Sequence, residues 1–120
     1  MSIAPCWQEL EAPTPRHPNE LDLRRIERAI AGRARYKYVQ PSVQRHPDGY
    51  LVRSPCCSRN IAADGAEIDV ALLTWMERTA DWSLFRRDHQ AQAWLLDSRF
   101  ARLPDLFGRL NQDPDRVFWQ

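Results

Sequence analysis

Between Arg35 and Asp97 apolar residues recur at alternate positions in short runs, and only a few residues separate one run from the next. Side chains two apart share one face of a strand, so each run can bury a face. Connections this short join antiparallel neighbours. "RYKYVQPSVQR" opens by alternating aromatic with basic residues, and His46-Pro47-Asp48-Gly49 is a turn signal leading into "YLVRS". Asp64-Gly65 marks a second turn, between "CCSRNI" and "EIDVALLTWME", in which Ile68, Val70 and Leu72 are placed on one face. "DWSLFRR" and "AWLLD" form a further pair joined around "DHQAQ". The pattern predicts an antiparallel meander of about five strands.

Helical spacing brackets these runs. Asn19 offers an N-cap, Glu20 and Asp22 suit the first turn, and Leu23, Ile26 and Ile30 recur at threes and fours, which predicts a helix over 20–32. Pro104 sits at a first helical position, and Leu103, Leu106, Phe107 and Leu110 give a second helix over 103–112. The expected fold is α+β: a five-stranded meander flanked by an N-terminal and a C-terminal helix, both covering one face. Residues 1–18 contain Pro5, Pro13, Pro15 and Pro18 and no sustained period, so they are assigned to a proline-rich arm, and 19–120 to a single domain. Phe118 and Trp119 are costly to leave in water, so the C-terminus is expected to dock on the body.

The chain of 120 residues carries a formal charge of +1, so no net field draws the whole molecule to nucleic acid or to an anionic membrane. No run approaches the roughly 20 apolar residues of a membrane span, and the N-terminus lacks the basic and apolar regions of a signal peptide. A cytoplasmic location without membrane attachment is expected. Three cysteines, two of them adjacent, do not make a secreted disulfide framework, and reduced thiols are expected.

The adjacent pair Cys56 and Cys57 is the first candidate for chemistry. Neighbouring side chains of a strand point to opposite faces and fit one tetrahedral zinc ion poorly, even with His46 and His89 as further ligands, so no metal and no cofactor are expected. A thiolate needs positive charge nearby, and Arg53 and Arg59 flank the pair as thiol-activating or anion-binding groups. Arg53, Cys57 and Arg59 have the same parity, which makes Cys57 the more reactive candidate thiol and turns Cys56 inward. A second candidate is the strip Arg24, Arg25, Arg28, Arg33, Arg35 and Lys37. With Tyr36 and Tyr38 it could meet phosphates and stack bases. Hydrolase motifs are absent, and Asp88-His89 fits turn chemistry better than an activated base, so no catalytic residue is assigned and the chain is not read as an enzyme.

The order of "LDLRRIERAI", a sheet containing "WSLFRRDHQAQAWLL" and a closing "LPDLFGRLNQDPDRVFWQ" resembles a family of small bacterial proteins classed as a domain of unknown function. The resemblance spans residues 20–120. It implies a similar α+β fold and supplies no activity, cofactor or catalytic residue. The function expected is a small cytoplasmic binding or adaptor module whose partner is another protein. The alternatives are a nucleic-acid-binding module using residues 24–38 and a thiol-dependent redox or metal protein using Cys56 and Cys57.

Overall fold

The computed structural model describes residues 16–34, 40–55 and 67–119. Helix α1 (Glu20–Ile30) begins where the sequence places its cap: Asn19 Oδ1 accepts the Asp22 backbone N–H at 2.8 Å, with two acidic residues in the first turn. Strands β1 (Ser42–His46), β2 (Gly49–Pro55), β3 (Glu67–Met76), β4 (Asp81–Asp88) and β5 (Ala93–Phe100) then form one sheet in sequence order. Every neighbouring pair is antiparallel. Helix α2 (Leu103–Gln112) closes the order, with proline in its first turn. The predicted α+β meander between two helices is the observed fold. No helix among the described residues is long and apolar enough to cross a membrane.

Cross-strand partners share a face, so the register names the core. Val43, Val52 and Ala71 form one row, Tyr50, Leu73 and Leu84 a second, and Trp75, Trp82 and Phe100 a third. Ile26 and Ile30 of α1 and Leu103, Leu106 and Leu110 of α2 complete a single cluster on that face. The β1–β2 turn needs its glycine, because a Cβ on Gly49 would run into the carbonyl oxygen of Leu73.

The expected phase of β3 is corrected. Ile68, Val70 and Leu72 do not share a face, because Val52 pairs with Ala71 while Arg53 pairs with Asp69, leaving Val70 as an extra residue. A bulge at that point breaks the two-residue period. Val70 and Ala71 enter the core, and Leu72 pairs with Leu51 and Phe85 on the opposite face. A second bulge, at Asp97, lets that carboxylate meet Arg109 of α2 through two bonds of 2.8 and 3.0 Å.

The C-terminal tail packs around Asp113, a fully buried residue in the left-handed region at the end of α2. Its carboxylate accepts the backbone N–H groups of Val117, Phe118 and Trp119 at 2.8–3.1 Å. The Trp119 indole N–H donates to Leu110 O at 2.9 Å. Phe118 and Trp119 are buried, as their hydrophobicity predicts.

Candidate functional site: an aromatic groove beside a buried histidine

His17 precedes α1 and inserts its ring among Tyr50, Trp75 and Trp82, with centroid separations of 5.2–5.8 Å. Tyr50 comes from β2 and the tryptophans from paired positions on β3 and β4, so three strands build the receptor for this ring. The Tyr50 hydroxyl oxygen accepts the Asn19 backbone N–H at 2.9 Å, which directs its own proton to His17 Nδ1, 2.6 Å away. That bond places the imidazole proton on Nε2, which has no hydrogen-bond partner among the described residues. Burial lowers the His17 pKa, against the pull of Asp22 and Glu77, and burial raises that of Tyr50. Near neutral pH both side chains are therefore uncharged.

Asp22, largely buried, organises the entrance. Its Oδ2 accepts from Asn19 Nδ2 at 3.0 Å, and its Oδ1 accepts from Arg25 Nη1 at 3.2 Å. Between α1, α2 and the end of the sheet this leaves a groove of about 730 Å³. His17, Trp75, Trp82 and Phe107 give it aromatic surface, and Arg25, Arg28 and Arg102 also line it. Arg28 and Arg102 form no ion pair among the described residues. The groove offers the His17 ring, flat apolar surface and guanidinium groups. Such a set binds a ligand with an apolar part and a negative part.

The four described cationic positions of the basic strip do not act as one surface. Arg25 and Arg28 face the groove, whereas Arg24 pairs with Glu20 at 3.0 Å and with Glu27 at 4.0 Å. Arg33 is buried, donates to Ile30 O at 3.0 Å and stacks over the Trp119 ring at 5.2 Å. Arg35 and Lys37, with Tyr36 and Tyr38, lie outside the described residues. So do Cys56, Cys57 and Arg59; Arg53 is described and pairs with Asp69 at 3.1 Å. Asp88 Oδ1 accepts the Gln90 and Ala91 backbone N–H groups, the geometry of a turn. No group of three or more metal-ligating side chains occurs among the described residues.

Residues 14–120 match the family described as "Domain of unknown function (DUF3024)". The chain belongs to that family. The match takes in His17, both helices and the whole sheet, so the aromatic groove lies within the family's extent. Neither a curated protein nor a solved structure shows significant similarity to the chain.

The histidines also make stability depend on pH. Burial lowers the pKa of His17 and of His89 below the ordinary 6.5, with Arg87 as a further cause at His89. As pH falls below about 6.5 the unfolded chain takes up protons that the folded one resists. Stability present above that pH is lost toward the depressed folded pKa. The melting temperature is expected to fall between pH 7.5 and 5.5, and to fall less in His17→Phe and in His89→Gln. A flat wild-type profile over that interval, measured by circular dichroism, contradicts the assignment.

Proposed function

We propose that the protein is a cytoplasmic binding module for another protein, and that its aromatic groove grips an acidic segment through one apolar anchor side chain. The observation that carries this reading is the pairing of an aromatic floor with Arg28 and Arg102, which form no ion pair among the described residues, in one groove. Aromatic pockets hold the anchors that dominate protein interfaces, and rim cations select an acidic partner and speed the encounter. Leu21, 64% exposed in the first turn of α1, extends the apolar surface to solvent. A nucleic-acid reading is less well supported, because the described part of the basic strip is divided among the groove, an intrahelical pair and the core. Reduced thiols expected from the cysteine pattern fit a cytoplasmic setting.

Fluorescence anisotropy with labelled peptides of aspartate and glutamate around a central Leu, Phe or Trp tests the proposal. Saturable binding in the micromolar range is expected, weakened at least tenfold by Arg28→Glu combined with Arg102→Glu, two changes outside the core. Binding that favours a single-stranded oligonucleotide and collapses steeply with salt would replace this reading with the nucleic-acid one. Absence of binding to every peptide rejects it.

A further inference from the structure

Strands β3 and β4 pair from Met76↔Asp81 to Ala71↔Arg86 and no further, although β3 reaches back to Glu67 and β4 runs on to Asp88. Over that stretch each strand stays with its other neighbour. Pro55 pairs with Glu67 on one side, and Asp88 pairs with Ala93 on the other. The sheet forks into two hairpin arms. The bulge at Val70 sits at the fork and supplies the cause, since a bulge bends its strand and increases the local twist. Between the arms is a cleft of about 710 Å³, lined by Arg53, Asp69, Arg86, Arg87 and His89 among others. It lies at the opposite end of β3 and β4 from Trp75 and Trp82.

Two of the three guanidinium groups are anchored. Asp69 reaches Arg53 Nε at 3.1 Å and Arg87 Nε at 3.8 Å, and Arg87 stacks over Trp94 at 5.0 Å. Arg86 is different: its Nε, like that of Arg53, is buried with no hydrogen-bond partner, but no carboxylate forms an ion pair with it among the described residues. A guanidinium N–H withdrawn from water without an acceptor is costly, and the cost is relieved when a ligand brings one. The neighbouring acids are engaged elsewhere or open to water. Asp69 is shared by two arginines, Asp88 accepts two turn N–H groups, Glu67 is exposed, and Asp97, which feels the charge of Arg86, is held by two bonds to Arg109.

We propose that the fork is a binding site for a phosphate group, with Arg86 approaching from the sheet face it shares with Ala71, Arg53 and Arg87 from the opposite face, and His89 beside them. Phosphate is favoured over carboxylate because three guanidinium forks and an imidazole offer more donors than two oxygens can accept. A tetrahedral oxyanion can receive them from several directions. The volume of the cleft also leaves space for the molecule that carries the phosphate, whether a nucleotide or a sugar.

The test follows the arginine Nε–Hε resonances of the full chain by NMR during addition of sodium phosphate, then of a nucleoside monophosphate and of glucose 6-phosphate. Sodium chloride at matched ionic strength is the reference. Saturable shifts at Arg86, with smaller ones at Arg53 and Arg87, are expected with phosphate and not with chloride. The ester that saturates at the lowest concentration identifies the carrier. Arg86→Gln is expected to weaken binding at least tenfold while leaving peptide binding in the aromatic groove unchanged. Equal, unsaturated drift in phosphate and chloride overturns the proposal, as does undiminished phosphate binding by a folded Arg86→Gln. Should that variant fail to fold, the location and saturation of the wild-type shifts decide.

Discussion

Removing Phe118, Trp119 and Gln120 is expected to leave the chain largely unfolded at 25 °C. Both rings belong to the core cluster, and truncating a large buried aromatic costs roughly 3–5 kcal/mol. Two such losses, on the order of 6 kcal/mol, reach into the whole stability of a domain this size, roughly 5–15 kcal/mol. The deletion also removes the Phe118 and Trp119 N–H groups that satisfy the buried Asp113 carboxylate, and the ring beneath Arg33. A buried carboxylate that loses two of its backbone N–H partners is more destabilising than a carboxylate never buried. Urea unfolding followed by circular dichroism measures the effect. A shortened chain that keeps its midpoint would show that the tail serves a partner instead of the core.

Truncation at the other end is expected to be costly as well, and the cost should fall on one side chain. A chain beginning at Pro18 lacks the His17 ring, which leaves faces of Tyr50, Trp75 and Trp82 open and the Tyr50 hydroxyl with one partner in place of two. A lost buried hydrogen bond and a ring-sized void together cost about 2–3 kcal/mol. At this chain length that lowers the melting temperature by on the order of 10 °C. His17→Ala in the full chain should reproduce most of the drop. If His17→Ala melts like wild type while the truncation does not, the stabilising contact lies elsewhere in the first seventeen residues.

Local signals settled most of the architecture. The Asn19 cap, the threes and fours of Ile26 and Ile30, the Pro104 start and the His46-Gly49 turn are each readable because a few neighbouring residues dictate them. The turns between β3 and β4 and between β4 and β5 are quieter in sequence. Each ends in a non-glycine residue with positive φ, Ala80 at 52° and Gln92 at 53°, where glycine or asparagine is the usual sign.

What the chain alone determined, then, was the order and type of its elements and the burial of Phe118 and Trp119 at its C-terminal end. The candidate sites were set by tertiary structure. Nothing near His17 in sequence announces Tyr50, Trp75 or Trp82, which meet it only because antiparallel register stacks β2, β3 and β4 side by side beneath the start of α1. The fork likewise depends on the Val70 bulge, a one-residue slip that alternation of apolar residues cannot reveal. Spacing along the chain reports local geometry; which distant side chains converge is decided by strand register and by where a bulge interrupts it.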